Sequence, residues 1–208
     1  MKWYDVVNKF VEGKPVKGGG KCKYHYNSHY RDVVEVNGCI TCYLFHEYTI
    51  AKYNKIDKTL YISPCGFPTQ TTRDRLDAII YEFFGNNYRI SRVYNNINEK
   101  WLMVLEDNKN KKHYTFNWIK FNEKGEIING ELYELIWIRY LGHGRITDFG
   151  DYIVAKMPNG IFVVKNGKIY KVLCKKHYTE GVYYLAKEIK DSNINIKEIK
   201  QFNIFDFI

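Results

Sequence analysis

Apolar residues recur along the chain with two different periods, and the switch between them marks out the elements. Trp3, Val6, Val7 and Phe10 fall at helical spacing within residues 2–12, and Gly13 follows as a stop, which predicts a short docking helix. Residues 13–23 place the run Gly18–Gly20 among Lys14, Lys17, Lys21 and Lys23 and read as a flexible basic connector. A phosphate-cradling loop would need a strand before it and a helix start after it, and the sequence offers neither. Val33, Val34 and Val36 lead into Asn37-Gly38, the strongest two-residue hairpin signal, with 39–50 as the returning strand and Thr59–Ser63 as a third. After the turn Pro64–Pro68 comes the clearest helix, over about 72–84. Its stripe is Leu76, Ile79, Ile80, Phe83 and Phe84, its cap is Thr71 or Thr72, and Gly85 ends it.

From residue 88 the period drops to two. Tyr88–Tyr94, Lys100–Glu106 and His113–Phe121 are aromatic and β-branched, and Tyr114, Phe116 and Trp118 alternate with Thr115 and Asn117 as one buried face. Leu132–Leu141 fits either period. Residues 151–173 form a meander with turns at Pro158–Gly160 and Asn166-Gly167. Val182, Tyr183, Ala186 and Ile189 suit a short helix over about 179–190, and the tail 197–208 is apolar enough for a closing strand. Together these elements define an α+β protein: mainly antiparallel sheet, one well-defined amphipathic helix, and short helices near both termini. The polar run at 107–112 separates an N-terminal α+β part, 1–106, from a β-rich C-terminal part, 113–208, or is a turn within one continuous domain.

Composition changes how the charge is read. The chain has 208 residues and a net charge of +9, resting on 25 lysines and only 7 arginines. Lys, Ile, Asn and Tyr are all abundant, and their codons are the richest in A and T. An AT-rich genome therefore accounts for much of the lysine, and arginine is the better witness for an anionic partner. Five of the arginines, Arg31, Arg73, Arg75, Arg89 and Arg92, fall between residues 31 and 92. No signal peptide and no membrane-spanning run is apparent, and the 5 cysteines are an odd number that does not read as a disulfide framework. The expected location is the reducing cytoplasm of a host cell.

A strand, a glycine turn and a helix start reading T-x-T-T-R-x-R-L run through Leu60, Ile62, Gly66, Thr69, Thr71, Thr72, Arg75, Leu76 and Asp77. This pattern resembles a small bacteriophage-encoded domain of unknown function, over about residues 24–94. The resemblance implies a viral origin and carries over no chemistry.

Cys22, His25 and His29 followed by Cys39 and Cys42 have zinc-ligand spacing, but residues three apart on a strand point to opposite faces, so the cysteines are read as small hydrophobes and no cofactor is expected. Cys65 lies beside a helix start, where a thiolate is favoured, yet nothing in the spacing supplies a base. Asp148, Asp151 and Lys156 are a loose echo of a metal-dependent nuclease. Nucleic-acid binding is better supported: Lys14, Lys17, Lys21, Lys23, Arg31, Arg73, Arg75, Arg89 and Arg92 supply phosphate ligands, and tyrosines such as Tyr24, Tyr26, Tyr30 and Tyr88 supply stacking surfaces. The expected function is non-enzymatic. It is a phage protein that binds RNA, single-stranded DNA or a host nucleoprotein, in host takeover or in counter-defence of the anti-CRISPR kind. The alternatives are a protein-only inhibitor that occludes a host enzyme, and a metal-dependent nuclease.

Overall fold

A computed structural model of the chain describes residues 1–21, 30–96 and 99–190. The chain forms two units: Met1–Val93 with Trp101–Leu132, and Tyr94–Lys100 with the chain from Tyr133 onward. In the first unit, helix α1 (Trp3–Glu12) precedes strands β1 (Val16–Lys21), β2 (Tyr30–Asn37), β3 (Ile40–Phe45), β4 (Tyr48–Asn54) and β5 (Thr59–Ile62). Helix α2 (Gln70–Phe84) then leads to β6 (Tyr88–Asn95), β7 (Lys100–Asp107) and β8 (Lys112–Phe121). The sheet order is β1-β2-β3-β4-β5-β8, with β7 also on β8 and β6 on β7. Thus β5 pairs with β8 by skipping the intervening helix and two strands.

Residues 13–23 are not simply a connector, because Val16–Lys21 pairs antiparallel with β2. The glycines have a packing reason. Gly18 is buried beneath α1, and a Cβ placed there would lie 2.5 Å from Val6 Cγ2, so only glycine lets the helix approach the strand. Gly13 ends α1 in the left-handed region at φ +67°. The β2–β3 hairpin forms, but its turn is Gly38-Cys39, one residue later than the Asn37-Gly38 pair predicts, with Asn37 in β2 paired to Ile40. The returning strand is broken once, by a turn at His46-Glu47 whose φ values are +48° and +71°. Helix α2 begins two residues earlier than its apolar stripe indicates. Thr69 is the cap, and its Oγ1 accepts the Thr72 N–H at 3.2 Å. Val6, Val7 and Phe10 of α1 and Leu76, Ile79 and Ile80 of α2 join Tyr43, Phe45, Leu60, Ile62, Ile119 and Phe121 of the sheet in one core.

The second unit takes the later residues of β9 (Ile127–Ile138) with β10 (Ile146–Asp148), β11 (Ile153–Met157), β12 (Gly160–Lys165), β13 (Lys168–Tyr178) and β14 (Gly181–Ile189). The order is β9-β14-β13-β12-β11-β10, antiparallel throughout. The β12–β13 turn is Asn166-Gly167, at φ +51° and +73°, the geometry that this pair favours. Both faces of these strands are apolar. Val163, Tyr170, Val172 and Ala186 belong to one cluster, Phe162, Val164 and Ile169 to another.

That double burial explains a correction. The predicted helix over 179–190 is the strand β14, and the protein is a mainly antiparallel β fold, not an α+β fold with helices near both ends. Among the described residues α1 and α2 are the only α-helices. Ala186 faces one cluster and Ile189 packs against the other, so β14 is apolar on alternate sides and its spacing mimics a helical stripe. The ambiguous segment Leu132–Leu141 resolves the same way, as the end of β9. The predicted closing strand at 197–208 lies outside the described residues.

Candidate nucleic-acid interface

The T-x-T-T-R-x-R-L segment points inward. Thr69 caps α2, Thr72 and Leu76 are buried, and the Asp77 carboxylate accepts the Ile90 N–H at 2.7 Å. Arg75 is only 5% exposed, and Asp32 opposite it is fully buried. The Arg75 Nε and Nη2 donate to the two Asp32 oxygens at 2.9 and 3.2 Å, a bidentate pair. The Tyr43 hydroxyl donates to the same carboxylate at 2.8 Å. Burial first, and the Asp32 charge second, hold the Tyr43 phenol well above its ordinary range. The rings of Trp3 and Phe45 lie 4.9 and 4.5 Å from the guanidinium carbon. Arg75 thus ties α2 to β2, β3 and α1.

The other cations predicted from sequence are scattered over the first unit, apart from Lys23, which lies outside the described residues. Arg73 and Arg89 border a groove of about 470 Å³ with Trp3, Tyr81 and Tyr88, but carboxylates share it. Arg73 reaches Asp74 at 3.0 Å and Asp77 at 3.8 Å, Arg89 lies 4.0 Å from Asp77, and Glu82 also lines the groove. Arg92 lies over the Trp101 ring at 4.3 Å and donates to Pro68 O and Gln70 Oε1, while Lys14 is paired with Glu12 at 3.0 Å. Lys17 and Arg31 are exposed on the sheet face turned away from the helices. Lys21 ends β1.

That outer face carries the arrangement with the most binding chemistry. Strand register aligns Glu35, Cys42, Lys52, Tyr61 and Lys120 in one row across β2, β3, β4, β5 and β8. A second row runs Lys17, Val33, Leu44, Thr49. Trp118, two residues before Lys120 on the same side of β8, stacks on Tyr61 with ring centroids 5.9 Å apart and planes 26° apart. Both rings are half-buried, and Lys52 beside them is exposed. Lys17, Arg31, Lys52 and Lys120 stand against the single carboxylate of Glu35 among these positions. Between Lys17 on β1 and Lys120 on β8 there are five strand spacings, about 24 Å at about 4.8 Å each. Burial raises the Cys42 thiol, and Lys52 opposes that shift.

Lys52, Tyr61 and Lys120 carry no sequence signal for a site and Trp118 reads as part of a buried face, because only the β5–β8 pairing unites the four. The one available signal was the aromatic alternation in β8. That alternation changes phase: Phe116 is buried and Trp118 half-exposed, while Ile119 and Phe121 are buried on the opposite parity.

The remaining candidates are structural or scattered. The Cys65 thiol donates to Thr49 O at 3.1 Å. Cys39 sits in the hairpin turn and Cys42 on the outer face, and Cys22, His25 and His29 lie outside the described residues. Asp148 accepts the Gly150 N–H, Asp151 faces Lys165 at 3.5 Å, and Lys156 Nζ donates to Gly142 O. Among the described residues no three His, Cys, Asp or Glu side chains form a metal-holding group. No described helix is long and apolar enough to cross a membrane.

Fold and face together describe a small, mainly antiparallel β protein with a basic, aromatic open sheet. A family model described as Kyanoviridae Gp96 protein matches residues 19–127, just over half of the chain, and the chain belongs to that phage-encoded family of uncharacterised function. The match contains the strand-turn-helix segment that suggested a bacteriophage origin. No curated protein and no solved structure matches the chain.

Proposed function

We propose that the protein is a non-enzymatic binding protein that engages single-stranded nucleic acid, RNA or DNA, alone or within a host nucleoprotein, through the outer face of its first unit. Acting inside the infected cell, such a protein serves host takeover or counter-defence. The observation that supports this reading is the stacked Tyr61–Trp118 pair flanked by Lys52 and Lys120. Bases of any identity stack on aromatic faces while lysines track the backbone, which favours binding with little sequence preference. The helix-side groove is a poorer polyanion site, because Asp74, Asp77 and Glu82 offset Arg73 and Arg89.

The test is filter retention of 20-nucleotide RNA and DNA against salt. If Lys17, Arg31, Lys52 and Lys120 each meet a phosphate, log affinity should fall with log salt at a slope of about −3, and Lys52→Ala or Lys120→Ala should flatten it by about 0.7. Tyr61→Ala and Trp118→Ala should each weaken binding by about 1–3 kcal/mol. Absence of retention at low salt overturns the reading in favour of a protein partner. Cleavage of the oligonucleotide with Mg²⁺ or Mn²⁺ overturns its non-enzymatic part.

A further inference from the structure

At the end of the β3–β4 hairpin a cavity of about 250 Å³ opens into the first unit. Its walls include Phe45, His46, Tyr48 and Phe67, with Thr69 and Thr71 at its polar side. Tyr48 and Phe67 are 51% and 47% exposed, with centroids 4.8 Å apart, and form a lip of two rings at the opening. Phe45 and His46 meet edge to face at 4.5 Å within the wall. The hydroxyls of Thr69 and Thr71 lie 3.0 Å from each other. Thr69 Oγ1 is taken up by the Thr72 N–H and by the Thr71 and Thr72 hydroxyls, so the exposed Thr71 hydroxyl is the one with capacity left for a ligand, and it suits the polar edge of a heterocycle better than a bare hydrocarbon. Pockets for drug-sized ligands span about 300–1,000 Å³, so this smaller cavity suits a single ring system rather than a larger molecule.

The cavity is continuous in sequence and hydrogen bonding with the outer face. The His46 N–H donates to Arg31 O at 2.9 Å, so the exposed cation of β2 stands at the side of the turn that carries a cavity wall. Thr49 ends the outer row of Lys17, Val33 and Leu44, and its neighbour Tyr48 forms the lip. The turn itself uses His46 and Glu47 in the left-handed region, where Asn-Gly is the relaxed choice, and this places an imidazole at the wall.

We infer that this cavity receives one nucleobase, turned out of a single strand whose backbone lies on the outer face near Arg31. The inference rests on the nucleic-acid reading for its strand but not for its ligand, since a free nucleoside carries the same heterocycle. Aromatic walls supply stacking, the Thr71 hydroxyl offers a polar contact to the base edge, and Arg31, bonded through its backbone to the His46 turn, is the nearest outer-face cation in the strand register for the adjoining phosphate.

Two measurements separate the outcomes. Adenosine and uridine titrated into ¹⁵N-labelled full-length protein should shift the amides of His46, Phe67, Thr69 and Thr71, and leave those of Lys52 and Tyr61 in place. If those four amides do not move for either nucleoside, the inference is overturned whatever the outer face does. Separately, an oligonucleotide carrying one 2-aminopurine should change its fluorescence on binding. Thr71→Trp, an exposed position whose larger side chain fills the cavity, should abolish that change and lower affinity roughly 5- to 100-fold, the loss of one stacked base. Phe67→Ala should act in the same direction, with thermal melts showing that both variants stay folded. If oligonucleotide affinity depends on Tyr61 and Trp118 but is indifferent to Thr71→Trp and Phe67→Ala, the outer-face reading stands and the cavity inference falls. If no oligonucleotide binds but the nucleosides shift the four amides, the outer-face reading falls and the cavity stands as a nucleoside site.

Discussion

Replacing Arg75 with alanine tests whether the most recognisable segment of the chain works through the fold or through a ligand. The substitution leaves the fully buried Asp32 carboxylate with the Tyr43 hydroxyl and without its bidentate partner. Removing one member of a buried ion pair costs about 3–5 kcal/mol, because the remaining charge cannot be resolvated. Loss of the guanidinium from between the Trp3 and Phe45 rings adds about 0.5–2 kcal/mol. Urea melts followed by circular dichroism should show this destabilisation, and thermal melts a drop of roughly 10–20 °C. The double variant Asp32→Asn with Arg75→Met removes both charges yet keeps an oxygen for Tyr43, and should recover about half of the loss or more. Arg75 is not a structural anchor if Arg75→Ala lies within about 1 kcal/mol of the parent protein, or if it melts normally and loses oligonucleotide binding.

Gly18→Ala, which sets a Cβ against Val6 Cγ2, should destabilise by about 1–3 kcal/mol in urea melts, and Gly38→Ala, with nothing within 4 Å of its Cβ, should show only the smaller cost of a left-handed backbone. Thr69→Ala should cost about 1 kcal/mol as loss of the α2 cap, and Thr71→Ala much less. Stability should fall between pH 10 and 12. Burial pushes the Tyr88 and Tyr170 phenols up to about 12, so above the ordinary value of 10.0 the unfolded chain releases protons that the native protein still holds. Urea midpoints taken across that range should decline, and Tyr88→Phe or Tyr170→Phe should flatten the decline.

Local signals in the sequence located most strands, because a two-residue period, Asn-Gly turns and a glycine stop are properties of neighbouring residues. They failed where burial comes from both sides. In β14 the apolar positions serve two clusters, and the sequence pattern of such a strand is close to that of a helix. The cap of α2 is Thr69, two residues before the nearer of the threonines its stripe indicates, because three threonines compete for it and only the Thr69–Thr72 hydrogen bond distinguishes them. The arginines were harder still. Arg75 and Arg73 are two residues apart and chemically identical in sequence, yet the partner that buries Arg75 is Asp32, 43 residues away. Of the candidate interface, Lys17 and Arg31 were visible as cations. Their company of Tyr61, Trp118, Lys52 and Lys120 depends on a β5–β8 pairing across a helix and two strands, which no local pattern encodes.

The inward orientation of the T-x-T-T-R-x-R-L segment has a consequence for how proteins carrying it diverge. The residues that identify such a chain answer to packing: a cap, a buried ion pair and a core leucine. Positions 17, 52, 61, 118 and 120 answer to whatever meets the outer face, and little of the core depends on them. Selection can therefore rewrite the outside of this scaffold while its signature stays legible. Two chains sharing the segment inherit a common frame, whatever their outer faces present.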